Sequence, residues 1–225
     1  MLSQAISNIL PMALGVALSP IPIIAVILVL GTPKARSDGP VFAIGWVLGL
    51  LVVSVVVLLA AHGASNTKSG SSNSVDTLQL VLGLLFLVMA AKQWRKRPKR
   101  GEEAVMPKWM ATIDSFTEGK SFGLGVVLSG ANPKNLALTL AAAGTIAQAG
   151  LTGGQDAIAV AVFVIIGSLT VAGPVVFFMV AGAKASKPLA EIKEFMSDHN
   201  AVIMMIVLLI LGAKLLGAGV AGLQN

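Results

Sequence analysis

Cysteine is absent from this 225-residue chain. That removes disulfides, thiolate metal sites and thiol redox chemistry. Histidine is nearly absent too: His62 and His199 stand far apart at the ends of apolar runs and make a poor metal site. Carboxylates are missing from the interiors of the apolar runs. Asp76 and Asp156 stand at the beginnings of two of them, where helix-start capping is expected to account for them, so no carboxylate proton relay can be named. No nucleophile–base pair, phosphate loop or metal motif stands out, so neither an enzyme nor a cofactor is expected. The first residues carry no basic cluster, and the first apolar run is too long and lacks a clear small-residue cleavage site, so no cleavable signal peptide is expected.

What the chain does have is hydrophobic length. It is 56% hydrophobic and 12% charged, far from the balance of a soluble domain. Apolar runs of about 20 residues recur, each long enough to cross a hydrocarbon core. The expected fold is an all-α integral membrane protein with six spans, at roughly 5–30, 40–62, 76–93, 121–148, 156–183 and 200–222. The fourth and fifth are longer than a span needs, which predicts tilt, kinks or projecting ends.

The net charge of +6 is distributed unevenly. Thirteen lysines and arginines fall in the loops after spans 1, 3 and 5, whereas Lys68 is alone on the other side. The positive-inside rule then places those three loops in the cytoplasm and both termini outside. The segment 64–74 is Gly/Ser-rich and reads as a flexible outer loop. The cluster Gln93-Trp94-Arg95-Lys96-Arg97-Pro98-Lys99-Arg100 reads as a juxtamembrane anchor touching anionic headgroups rather than as a nucleic-acid site. After Pro107, the residues Trp109, Met110, Ile113 and Phe116 recur at helical spacing, which predicts a short helix on the inner membrane surface.

The halves echo each other. Leu14-Gly15-Val16-Ala17-Leu18-Ser19 matches Leu124-Gly125-Val126-Val127-Leu128-Ser129 at five of six positions, and both copies then break at proline. Weaker echoes pair Ile44-Gly45 with Ile166-Gly167, and Ala90-Ala91-Lys92 with Gly212-Ala213-Lys214. Three spans per half is an odd number, so the second half is expected to be inverted. The division is 1–93 for the first repeat, 94–120 for a basic linker with an interfacial helix, and 121–225 for the second repeat. Inverted repeats with broken helices place a site where the breaks meet, near the bilayer midplane.

Spans 1 and 4 are the expected broken helices. Pro20, Pro22 and Pro133 lack an N–H and open the backbone, while Ser19, Ser129, Asn132 and Asn135 supply hydrogen-bonding side chains. Kinks used only for packing are the simpler alternative. Lys134 is the leading candidate for chemistry, because a charge at this depth costs at least a few kcal/mol without water, a partner or a ligand. Its expected role is to hold an anionic or polar headgroup; snorkelling to an interface is the alternative. Lys214 joins the candidates, although snorkelling explains it equally well, as it does Lys92. Gly45, Trp46 and Gly49 in span 2, with Gly167 and Gly173 in span 5, offer small faces for close packing.

At this point a resemblance emerges. Ser19-Pro20-Ile21-Pro22, Leu28-Val29-Leu30-Gly31-Thr32-Pro33-Lys34-Ala35-Arg36, Gly45-Trp46 and Leu128-Ser129-Gly130-Ala131-Asn132-Pro133-Lys134-Asn135-Leu136 resemble the actinobacterial Sap/GAP proteins. These are the sulfolipid- and peptidoglycolipid-addressing proteins of the LysE exporter superfamily. The resemblance implies help in moving cell-envelope glycolipids or their precursors across an inner membrane, beside a larger lipid exporter. The absence of cysteine separates the chain from thiol-transferring membrane proteins of similar layout. Three readings compete: a glycolipid exporter, an exporter of a small solute such as an amino acid or cation, and a non-transporting membrane partner of another exporter. A homodimer fits the glycine-rich spans.

Overall fold

Most helices of this chain are apolar on nearly every side, as helices surrounded by lipid or by other helices are. A computed structural model describes the backbone of residues 1–65, 71–97 and 108–223, and their side chains except those of 62–65, 71–75, 96, 108, 111 and 114. Among the described residues the regular structure is entirely helical. In chain order the α-helices are α1 (Leu2–Ala17), α2 (Pro20–Leu30), α3 (Ala35–Ser65), α4 (Ser71–Lys96), α5 (Glu118–Val126), α6 (Pro133–Gln148), α7 (Gly153–Ala181), α8 (Ser186–Asp198) and α9 (Asn200–Leu223). A π-helical turn, Val127–Ala131, joins α5 towards α6.

Four stretches are helical, long and apolar enough to cross a bilayer: Ala35–Ala61, Asp76–Arg95, Gly153–Asp198 and Asn200–Leu223. They become five if α1 and α2, bent by 51° at their junction, count as one span. The segment expected as a broken fourth span is divided at that break, by the π turn and the extended Asn132. Its pieces, α5 with 9 residues and α6 with 16, are each too short to span alone.

Local chemistry fixes these boundaries. Pro20 and Pro133 begin α2 and α6, where a missing N–H costs nothing. Thr152 caps α7 in a reciprocal capping box with Gln155. Asp156 therefore does not cap that helix, contrary to expectation; it lies in the first turn and still faces the favourable end of the dipole. Asp76 does not cap either, because α4 begins at Ser71. Its buried carboxylate instead accepts a hydrogen bond from Gln148 Nε2 at 3.4 Å and sits against Gly222 of α9.

Helices α3 and α4 run further into the expected outer loop than the composition implies, reaching Ser65 and starting at Ser71. Residues 66–70 of that segment, 98–100 of the basic cluster, and Pro107 lie outside the described residues. The linker segment Lys108–Ser115 is a 3₁₀ helix that packs on α2, with Met110 and Ile113 buried. The lysine-bearing stretch after α7, expected as a loop, is largely the amphipathic helix α8.

The packing is crosswise. Helix α1 lies along α7, α5 lies along α3, and α4 pairs with α9. Where α5 crosses α3 the backbones nearly touch. A β-carbon on Gly45 would collide with the Phe122 carbonyl, and one on Gly125 with the Phe42 carbonyl. Only glycine allows so close a crossing. Phe42, Trp46, Phe86 and Phe163 fill the interior between these pairs.

Candidate functional site

The two helix breaks meet in the interior. At the first, Leu18 has φ −81° and ψ 52°, and the Ser19 N–H turns back to the Ala17 carbonyl at 2.9 Å. That is an inverse γ-turn. Had the helix continued, the Ser19 N–H would have gone to the Gly15 carbonyl, and the next N–H to Val16; but residue 20 is proline. The end of α1 is thus left with carbonyls short of donors.

Those donors come from elsewhere. The Lys134 Nζ donates to the Gly15 carbonyl. The Thr170 hydroxyl of α7 donates to the Ala17 carbonyl at 2.6 Å. A lysine ammonium at this position also faces the negative end of the α1 dipole.

The second break is closed by its own segment. After the π turn, Asn132 is extended, with φ −67° and ψ 120°. Its Oδ1 accepts from the Lys134 backbone N–H at 3.1 Å and caps α6. The Asn135 Nδ2 donates to the Leu128 carbonyl at 3.0 Å, supplying a bond that the Pro133 ring cannot. The Ser129 hydroxyl folds back onto the Val126 carbonyl at 3.1 Å. One side-chain bond joins the breaks directly: the Ser19 hydroxyl donates to Asn135 Oδ1 at 3.1 Å.

Burial is nearly total. Ser19, Ser129, Lys134 and Asn135 are each at most 2% exposed. A polar cluster so enclosed is stabilising only when its members are mutually satisfied, and here each of these four side chains has a partner. The assembly does two things chemically: it replaces the backbone hydrogen bonds that two broken helices lose, and it holds the lysine amine and several amide and hydroxyl groups at a common point.

The chain matches the family described as Sap, sulfolipid-1-addressing protein, over residues 9–221. It belongs to that family. No curated protein and no solved structure matches it.

In this Sap-family chain the structure brings together Ser19, Asn132, Lys134 and Asn135, with Pro20 and Pro133 opening the breaks, whereas the Ser129 hydroxyl bonds within its own turn and lies against Gly49 of α3. Pro22 is buried two residues further along α2. Lys214 is not part of the cluster. Its Nζ donates to the Asn8 carbonyl at 2.9 Å, about two helical turns along α1 from Gly15, and ties α9 to α1. Lys92 is exposed at the end of α4, and the exposed His199 bonds to Phe195 on α8. The His62 side chain is not among those described. Among the described residues no group of three or more His, Asp or Glu side chains is placed to hold a metal.

Thr170 and the carbonyls of Gly15, Ala17 and Leu128 are the members that sequence reasoning misses. Thr170 carries one usable signal: it is a hydroxyl within an apolar span, between Gly167 and Gly173.

Proposed function

We propose that this chain is a transporter-like protein of the cytoplasmic membrane that assists translocation of a cell-envelope glycolipid or its precursor, with the joined helix breaks as its working site. The observation carrying this reading is the interlock itself. Ser19 and Lys134, 115 positions apart, belong to two matching broken segments whose polar groups converge in one place. Broken helices that meet in this way are how secondary transporters build sites, because freed backbone groups and side chains then become available to a ligand. Membership of the sulfolipid-addressing family supports a lipid cargo.

The finer architecture follows the same proposal. The crosswise packing of α1 on α7 and α5 on α3 fits two inverted repeats, 1–93 and 121–225, joined by the basic linker 94–120. On this reading α5, the π turn and α6 together form the fourth span, which brings the number of spans to six. The lysine-rich ends face the cytoplasm, and both termini lie outside. A glycolipid substrate, a larger lipid exporter and a second copy of the chain are the proposed partners, and a LysE-type export mechanism is the proposed relative.

In its present form the cluster is shut: Lys134 is 1% exposed and engaged by a carbonyl. Transport would require the breaks to separate, releasing Lys134 to a headgroup. The same enclosure favours a second reading, in which Lys134 is a structural cap and the chain is a non-transporting partner of another exporter. Efflux of labelled lipid from inside-out vesicles separates the two. Loss of efflux in Lys134→Ala and Asn132→Ala, with the fold retained, is expected for a transport site. Wild-type efflux in both variants, or no efflux from the purified wild-type protein, would leave the partner reading in place.

A further inference from the structure

Away from the breaks, α2, α7 and α8 enclose a groove of about 270 Å³. Ile27, Leu30, Phe178 and Leu189 form its apolar walls, and Ser186 and Lys193 contribute polar groups. We propose that this groove binds the headgroup and proximal chain of an anionic membrane lipid.

Three observations point to that occupant. The groove opens among surfaces suited to lipid: Phe177 and Val180 on α7, and Ile192 and Phe195 on α8, are large apolar side chains left exposed. An amphipathic helix with such an edge and charged residues of both signs on its other faces lies at a membrane interface, which puts the groove at headgroup depth. Lys193 is half-buried in the lining and makes no ion pair or side-chain hydrogen bond with a described residue. A cation part-way into an apolar groove, with nothing opposite it, complements an anion that carries hydrocarbon. Lys34, Arg36, Lys184 and Lys187 stand within a few residues of the lining segments; Glu191 and Glu194 are exposed on α8 but outside the lining, so the charge within the groove is that of Lys193. The volume is close to the lower bound of small-ligand sites, about 300 Å³, which suits a headgroup with the start of one chain rather than an entire lipid.

This site is separate from the helix breaks and does not rest on the transport reading. A chain that only supports another exporter would hold lipid here equally well.

The test is native mass spectrometry of the full chain in detergent, with phosphatidylglycerol and phosphatidylcholine of matched chains added in turn. The wild type is expected to retain phosphatidylglycerol in preference. Lys193→Gln is expected to reduce that retention about fivefold, one lysine's attraction to an anionic surface. Ala190→Trp, which fills the groove from an exposed lining position, is expected to reduce it at least as much while leaving every lysine in place. Lys187→Gln, an exposed lysine of α8 outside the lining, should change it less than about twofold. Equal retention of both lipids by the wild type would overturn the proposal. So would equal losses from Lys187→Gln and Lys193→Gln, or full retention by Ala190→Trp.

Discussion

The two breaks look alike in sequence and are built oppositely. Each follows Leu-Gly-Val-x-Leu-Ser and each opens at a proline. Beyond that point the first copy continues Pro20-Ile21-Pro22, which offers no side-chain donor, and the second continues Gly130-Ala131-Asn132-Pro133-Lys134-Asn135, which offers three. The first break accordingly exposes acceptors, the carbonyls of Gly15 and Ala17. The second satisfies itself through Asn132 and Asn135 and has Lys134 to spare. Similar helices have diverged into an acceptor half and a donor half, and the first depends on the second. The pairing also makes the site separable: pulling the halves apart leaves the second break largely capped and the first one short of donors.

That asymmetry ranks the consequences of substitution. Asn135→Leu should do the most damage, because the amide serves both breaks, accepting from Ser19 and donating to Leu128. Two buried groups lose their partner at once, a cost of about 2–6 kcal/mol, readable as a lowered unfolding midpoint in detergent. Lys134→Met comes next. It keeps an unbranched side chain in place but removes the donor to Gly15, costing about 1–3 kcal/mol. A Lys134→Met protein as stable as the wild type would mean that the lysine is held for its ligand and not for the helix end. Ser19→Ala should cost about 0.6–1.7 kcal/mol, the range of single hydrogen bonds between membrane helices. Combined with Asn135→Leu it should add almost nothing, since the bond is then already lost. Full additivity of the two would show that the breaks are not coupled through this contact.

The positions of the breaks were legible because the repeated hexapeptide ahead of each proline marked both places; proline alone does not, since Pro11, Pro40 and Pro174 lie inside unbroken helices. Lys134 and Asn135 were legible for another reason: polar groups at that depth need an explanation. Their partners were not. Lys134 binds a backbone carbonyl 119 positions away, and a carbonyl freed by a turn leaves no trace in residue identity. Lys214 misled because its place within its span resembles that of a site residue, whereas the packing of α9 directs it to Asn8. Helix α8 was hidden by its charges. Lys184, Lys187 and Lys193 counted towards topology, which drew attention from the helical spacing of Leu189, Ile192, Lys193 and Met196. The capping role assigned to Asp76 and Asp156 failed because Thr152 and the serines ahead of Asp76 extend both helices upstream.

Thr170 offers the smallest and most discriminating change. It supports the acceptor break from α7, independently of the donor break. Thr170→Val preserves the shape of the side chain and removes only the hydroxyl. The Ala17 carbonyl keeps the Ser19 N–H as a donor, so the expected loss is about 0.6 kcal/mol, the average for such bonds in membranes. Its interest lies in its sign for function. If the breaks part during a working cycle, α1 moves against α7, and a bond between them holds the closed form. Thr170→Val would then weaken the closed form without touching Lys134, and lipid efflux should rise or become less dependent on temperature. A chain that works only as a rigid partner should show the small stability loss and no change in any rate it supports. The two expectations differ in direction, so a single conservative substitution remote from the lysine distinguishes a latch from a brace.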